Sequence, residues 1–242
     1  MALDSPYATY AEYIADVGST NDTGTNTAIE SDLKAVSRWI DRKLDRFFNI
    51  DAAPVARVYV VPIQRSNPPY GWAESENPFR WGFSRALDVD DIATTNGLAI
   101  KIDVARDGSF TDDTALASTD YEPFPINAPL GPEPRPYTRI GIPEWSEAGG
   151  FGAGARVQVT AYFGWPTVPP AIKRATIDIT RTLRTGLSQG EAKADGVKRM
   201  SVSGGLAVDY GGTTEAAASA HQELVNSLMR EYGRARRFFN RG

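Results

Sequence analysis

YFGWPTVPPAIKRATID, residues 162–178, is the stretch that decides how this chain is organised, because a strand pattern ends in it and a helical pattern begins. Gly164 permits a backbone conformation that other residues resist, and Pro166 ends the strand because proline cannot donate to a ladder. The Pro169-Pro170 pair favours an extended residue followed by a helical first turn. The bulky Trp165 is expected to bury apolar surface there. We predict a structural junction without catalytic role, made of Gly164, Trp165, Pro166, Pro169 and Pro170.

Upstream of the junction, short apolar runs predict a β-rich region over residues 51–165. Several of them alternate with the period of two expected of half-buried strands. Asp107-Gly108 is a strong hairpin signal. Residues 64–82 and 122–136 are rich in proline and aromatic residues, which predicts long loops. The predicted strands are 57–63, 97–104, 137–142 and 155–163.

Helical periodicity occupies the two ends of the chain. Ser5 and Pro6 are expected to start a helix over 6–17. A Thr27–Glu30 capping box is expected to open another over 27–48. After Pro170 the sequence predicts a helix with Ile172, Ala175, Ile179 and Leu183 on one face. A mobile glycine-rich loop over 186–205 and a strand over 206–210 are expected to follow. A last helix is predicted from about residue 213, with Leu224, Leu228 and Tyr232 on its buried face.

Neither N-terminal helix has enough partners nearby in sequence to bury its apolar stripe. We therefore predict an α+β fold in which both ends of the chain, residues 1–50 and 166–242, form a small helical bundle. Residues 51–165 are then a β-rich domain inserted between the second and third helices.

Composition narrows the classes of function. The chain has no cysteine and one histidine, His221, so disulfides, thiol catalysis and most histidine-based metal sites or catalytic triads are not expected. We predict no metal and no cofactor. No apolar run approaches the ~20 residues of a membrane span, and no signal peptide is expected.

Acids and glycines in the β-rich region suggest three weaker alternatives. The first alternative is a calcium site. Two groups of aspartates could supply ligands, but neither has EF-hand spacing, and aspartate is common in turns. The groups are Asp88, Asp90 and Asp91, and Asp107, Asp112 and Asp113. The second alternative is a phosphate-binding loop at the glycine-rich run from Gly149 to Gly154. This run precedes a predicted strand, whereas a phosphate-binding loop precedes a helix, so the sequence context does not support it. A glycosidase pair drawn from Asp120, Glu122 and Glu144 has no flanking motif to support it.

The sequence VQVTAYFGWPTVPPAIKRATIDITRTL resembles the head–tail adaptor family of bacteriophages, also called head-to-tail connector or head completion proteins. The ordered features that carry the resemblance extend over about residues 5–185. They are a tyrosine-rich first helix with Tyr7, Tyr10 and Tyr13, a helix ending in Phe47-Phe48, LDVDDI at 87–92, Thr119 to Glu122, Pro125 to Ala128, and Pro136-Tyr137.

The resemblance implies a structural virion protein and no chemistry. It implies a homo-oligomeric ring, usually of twelve copies, that binds the portal protein and the next neck or tail protein while DNA passes through its lumen. The location would be the virion neck after synthesis in the bacterial cytoplasm. The alternatives are another neck component, of stopper or tail-terminator type, and a carbohydrate-active β module.

Charge is distributed unevenly along the chain. Residues 230–242 carry five arginines and one glutamate, a charge of +4, so the net charge of −4 leaves −8 on the remainder. In the family the C-terminal helix or arm reaches the portal, which makes this segment the candidate portal-binding site. Contact with nucleic acid and a solvated helix end are the alternatives. The negative charge on the rest of the chain has two interpretations. It could line a lumen that repels the phosphates of passing DNA, or it could be an ordinary charged protein surface. The portal-binding candidates are Arg230, Arg234, Arg236, Arg237, Phe238, Phe239 and Arg241.

Overall fold

The computed structural model describes residues 5–18, 25–61, 85–128, 130–146, 150–190, 197–202, 206–211 and 215–233. Within them the fold is mixed α+β, with four helices, a five-stranded antiparallel sheet and a two-stranded one. The chain divides into two compact units. One comprises the described residues within Asn49–Thr167, and the other those within Leu3–Phe48 and Val168–Gly242.

The first unit contains the five-stranded sheet. Its strands are β1 (Val55–Val60), β2 (Ala86–Ile102), β3 (Glu122–Phe124), β4 (Tyr137–Gly141) and β5 (Arg156–Phe163), in the spatial order β1-β5-β2-β4-β3. The strands β5, β2 and β4 lie inside, while β1 and β3 form the edges. The alternation along β5 places Val157, Val159, Ala161 and Phe163 in the core and the residues between them on the other face.

Two strand predictions need correction. β2 begins at Ala86 and not at residue 97, because the acids of its first half, which are unfavourable in strands, each meet a donor or a cation. Residues 122–136 were expected to be a loop but include β3, whose Pro123 is tolerated at a sheet edge. The turn at Asp107-Gly108 forms, with Gly108 at φ 82°, but an isolated bridge from Lys101 to Ala115 follows it in place of a paired strand. The predicted loop over 64–82 lies outside the described residues.

The second unit contains the helices. They are α1 (Tyr10–Val17), α2 (Asn26–Leu44), α3 (Pro170–Gly190) and α4 (Glu215–Glu231), with a hairpin of β6 (Val197–Val202) and β7 (Leu206–Gly211) between the last two. Tyr13 and Val17 of α1, Ile29 and Leu33 of α2, and Ile177 of α3 share one apolar cluster. Ile172, Ala175 and Ile179 are also buried, and Leu183 is half-buried.

The first helix starts four residues later than predicted. Thr9 caps it through a capping box with Glu12, and Ser5 does not. The reason lies in Tyr7, which is buried outside the helix. Its backbone N–H donates to Ser37 Oγ at 2.9 Å, and its hydroxyl donates to Asp41 Oδ1. These long-range bonds hold residues 5–8 against α2.

Both ends of the second helix also differ from the prediction. Thr25 is the N-cap and accepts from the Ala28 N–H at 3.3 Å, so the Thr27–Glu30 box does not form the cap. The helix ends at Leu44 because Asp45 adopts a left-handed conformation, φ 52°. Phe48, predicted as helical, lies beyond that end and is fully buried.

The predicted loop over 186–205 is also wrong in part. α3 continues to Gly190, and residues 197–202 form β6, whose partner β7 contains the predicted strand over 206–210. A glycine inside a helix costs about 1 kcal/mol relative to alanine, and tertiary context can outweigh a cost of that size. On α4, Val225 and Leu228 are buried and Leu224 is half-buried, and Tyr232, one residue after the helix ends, is also buried. In the described ranges, no helix is both long enough and apolar enough to span a membrane.

Candidate functional site

The predicted junction begins with a close approach between two backbone segments of the first unit. Gly164 has φ 113°, in the region that favours glycine, and its N–H donates to the Asp91 carbonyl at 2.8 Å. A Cβ placed on Gly164 would lie 2.0 Å from the Asn49 carbonyl oxygen. Only glycine satisfies both conditions, so this position fixes how the end of β5 passes Asn49.

Trp165 fixes the same end of β5 to β2. Its indole is 4% exposed, and Nε1 donates to Asp91 Oδ2 at 3.3 Å. Asp91 is itself 4% exposed, so a buried carboxylate accepts from a buried indole. Buried polar groups are stable when they are hydrogen-bonded, which gives this pair a structural role.

Arg57 organises a second group of polar side chains at the β1 edge. Its guanidinium lies 2.9 Å from Asp90 Oδ2 and 3.8 Å from Asp51 Oδ2, with Cζ 3.9 Å from the centre of the Phe163 ring. Tyr59 Oη also donates to Asp90 Oδ2, at 3.0 Å. Burial, followed by the Asp90 charge, raises the pKa of Tyr59 well above its usual range. The Tyr59 phenol therefore stays neutral and donates a hydrogen bond. The carboxylates of Asp51 and Asp90 balance the positive charge of Arg57.

The proline half of the junction belongs to the second unit from Val168 onward. Pro169 is buried, and its carbonyl accepts from the Ile172 and Lys173 N–H groups at 3.0 and 3.1 Å. α3 starts at the exposed Pro170, whose missing N–H would have no helical partner at that position. Pro166 is half-buried.

Four of the six aspartates considered as calcium ligands are bound to protein groups at 3.3 Å or less. Asp88 pairs with Arg139 at 2.9 Å, and Asp90 and Asp91 bond Arg57 and Trp165. Asp107 accepts from the Ser109 N–H at 2.8 Å, as expected of a turn. Within the ranges that the structure describes, no cluster of three or more potential metal ligands occurs.

A cavity of about 280 Å³ lies at the β2, β3 and β4 end of the sheet. Of the candidate glycosidase acids, Glu122 lines it and is the one acid among its described lining residues. Asp120 instead accepts from Ser146 Oγ at 3.2 Å. The cavity therefore does not assemble the two facing carboxylates of a glycosidase from the acids considered. Its lining consists of Arg85, Ala86, Glu122, Phe124, Arg139, Gly141, Ile142 and Pro143.

The described end of the glycine-rich run packs against the sheet. Phe151 is fully buried, and the Gly154 N–H donates to the Val61 carbonyl at 3.0 Å. No helix begins there, so a phosphate-loop geometry does not form. Gly149 and the His221 side chain lie outside the described structure.

Of the candidate portal-binding residues, Arg230 is described and is exposed in the last turn of α4. Tyr232, two residues on, is 4% exposed, and its ring centre lies 6.0 Å from that of Phe48 in an edge-on contact. The buried ring anchors the end of α4. The others, Arg234, Arg236, Arg237, Phe238, Phe239 and Arg241, lie outside the described residues.

Sequence reasoning missed the polar cluster around Tyr7. Besides its two bonds to α2, Tyr7 Oη accepts from the Phe48 N–H at 3.0 Å. Burial raises the pKa of Asp41 to about 6, against the lowering effects of Tyr7 and the nearby arginines. Burial and then the Asp41 charge raise the pKa of Tyr7 far above its usual range. No local sequence motif predicts these contacts of Tyr7, because its partners are 30 or more residues away in the chain.

Comparison with known proteins adds no family assignment. No protein-family model matches the sequence, and no curated protein matches it significantly.

Proposed function

We propose that this protein is a head–tail adaptor of a bacteriophage, a structural component of the virion neck without enzymatic activity. The helical segments at both ends of the chain would form one bundle that docks on the portal, with the β-rich unit as an insertion. The proposed partners are the portal protein, the next neck or tail protein, and further copies in a ring, with DNA passing through its lumen.

The observation that carries the proposal is the end of α4. Val225, Leu228 and Tyr232 are buried, whereas Met229 and Arg230 are exposed, with Met229 at 46%. The remaining arginines and both C-terminal phenylalanines begin two residues after the buried Tyr232 in the sequence. Arginine and aromatic side chains are enriched at the energetic centres of protein interfaces. An anchored helix followed by such a segment suits docking on an acidic surface.

The bonding of the polar groups supports a structural role further. In the first unit, Asp88, Asp90, Asp91 and Asp107 bond arginine, tyrosine, tryptophan or backbone groups, and the junction glycine and indole hold strands together. The order of motifs from the tyrosine-rich N-terminal segment to the Gly-Trp-Pro turn resembles that of the adaptor family.

The proposal is tested by mixing the protein with the portal ring of its own genome and measuring the native mass of the product. We expect a whole ring of copies to join the portal. The same measurement with a chain ending at Gly233 tests whether the arginine-rich segment carries the binding.

A further inference from the structure

The two edges of the five-stranded sheet differ in how they are protected. β3 is three residues long and has Pro123 at its centre, which cannot donate a hydrogen bond. β1 has six residues, VARVYV, with no proline, and its register against β5 runs without a bulge. Short strands, prolines, outward charges and bulges are the usual protection of sheet edges. β1 lacks all four.

The backbone of β1 presents its free groups at three alternate residues. The Val61 N–H donates to the Ala155 carbonyl at 2.9 Å, so Val61 points its backbone groups at the β5 side. Antiparallel pairs alternate between bonded and non-bonded positions. The bonded positions facing β5 are therefore the odd-numbered ones. Ala56, Val58 and Val60 direct their N–H and C=O groups to the open edge, where the described residues supply no partner.

The same three residues expose apolar side chains. Val58 and Val60 are 53% and 61% exposed, and Ala56 is exposed as well. The one charge on the strand, Arg57, turns to the opposite face, where it binds Asp90 and Asp51. The outward row of β1 is thus uncharged along its whole length.

We propose that β1 pairs with β1 of a second copy of this chain, antiparallel about a two-fold axis through Val58. This register places Val58 opposite its counterpart and Ala56 opposite Val60 of the second copy. It uses all three pairs of free backbone groups and forms about six hydrogen bonds between the copies.

Charge favours this register over the one centred on Arg57, and it permits a second copy of the chain as the partner. Arg57 comes to lie opposite Tyr59 of the second copy, and no like charges face each other. An axis through Arg57 would set two arginines directly opposite, which is destabilising. The uncharged row of Ala56, Val58 and Val60 matches itself. The pairing closes after two copies, so it is separate from any head-to-tail ring contact and does not rest on the proposed function.

Single cysteines test the register, because the native chain contains none. In a bonded antiparallel pair the Cα atoms lie about 5.5 Å apart, within disulfide range. Val58→Cys should therefore form a disulfide-linked dimer under mild oxidation. Val60→Cys is the matched control, since the two Val60 positions lie four residues apart along the strands, about 13 Å, and cannot bridge.

We expect Val58→Cys to cross-link at least about tenfold faster than Val60→Cys at equal concentration, although Val60 is the more exposed residue. Adding Ala56→Cys to Val60→Cys should restore cross-linking, because those two positions face each other across the axis. Equal rates for the two single variants, no cross-linking of Val58→Cys, or cross-linking only to a different protein would overturn the proposal.

A second measurement needs no oxidation. Sedimentation velocity of the unmodified protein should show a concentration-dependent dimer, because an edge pairing buries little surface and is weak. Val58→Lys should abolish the dimer while circular dichroism stays unchanged. Val104→Lys, at a valine that is 79% exposed outside the strands, should retain it. A dimer that survives Val58→Lys, or a protein that is monomeric at every concentration, would contradict the pairing.

Discussion

Trp165 Nε1 donates a hydrogen bond to Asp91 Oδ2 at 3.3 Å, joining residues 74 positions apart in the chain. The Gly164 N–H donates to the carbonyl of the same aspartate at 2.8 Å. Asp91 thus accepts hydrogen bonds from two successive residues at the end of β5. Its backbone carbonyl accepts from Gly164, and its side chain accepts from Trp165. The aromatic junction holds two central strands in place at the point where the chain leaves the sheet.

Replacing Trp165 with phenylalanine should destabilise the protein by about 1–3 kcal/mol, because a buried donor to a buried carboxylate is lost. Equilibrium urea unfolding measures the change. Trp145→Phe is the matched control, since that indole is 74% exposed and should change stability by no more than about 0.5 kcal/mol. Equal effects of the two substitutions would remove the structural role given to Trp165.

Gly164→Ala should destabilise by about 3 kcal/mol or more, since a Cβ would meet the Asn49 carbonyl at 2.0 Å and φ is 113°. Gly152→Ala supplies the comparison. A Cβ there meets nothing nearer than Ala155 Cβ, at 3.8 Å. Thermal unfolding of the two variants should differ by well over 5 °C. A fully stable Gly164→Ala protein would show that the close approach is absent.

Asp41 should make the protein more stable at mildly acidic pH. Burial raises its pKa to about 6 in the folded state, from the ordinary aspartate value of 3.8. A raised carboxyl pKa contributes stability below the unfolded value, and that contribution is lost as pH rises through about 6. At about 1.4 kcal/mol per pKa unit, wild type should gain about 2–3 kcal/mol relative to Asp41→Asn between pH 7 and pH 4.

Glu12 provides a control of opposite sign for that experiment. The Thr9 backbone N–H, followed by Lys173, lowers the pKa of Glu12, so its contribution is lost as pH falls. Wild type should therefore lose stability relative to Glu12→Gln over the same acidification. If Asp41→Asn and Glu12→Gln shift stability with pH in the same direction, the burial of Asp41 is not what raises its pKa.

Sequence patterns locate elements whose signal is local. The alternation before Phe163 predicts β5, and Pro170 marks the first residue of α3, because strand period and proline chemistry act over a few residues. Helix starts were misplaced where two capping residues compete. Thr9 caps α1 in place of Ser5 because Tyr7 is held by α2.

The candidate site depends more on distant partners. Gly164 and Trp165 were identified as junction residues, but their partner Asp91 sits in a sequence that also resembles a turn. The Arg57–Asp90 pair spans 33 residues, and the Tyr7–Asp41 pair spans 34. Such pairings become visible only when strand register and helix packing are known.

The arginine-rich segment should be removable without loss of the fold if the chain is cut after Gly233. Cutting before Arg230, where the basic segment begins in the sequence, would also delete the buried Tyr232 ring. A chain ending at Gly233 should keep the wild-type urea midpoint within about 0.5 kcal/mol and bind the portal at least tenfold more weakly. Tyr232→Ala in the full chain should show the reverse pattern, lower stability with the tail retained. Unchanged portal affinity on truncation would eliminate the docking role of the segment.

A head–tail adaptor adds a ring of its own subunits to the portal, and the native mass of the mixed complex measures that addition. We predict that the portal ring gains the mass of a complete ring of subunits, each of 26.3 kDa. An intact portal ring that gains no mass in the presence of excess folded protein would contradict the adaptor assignment.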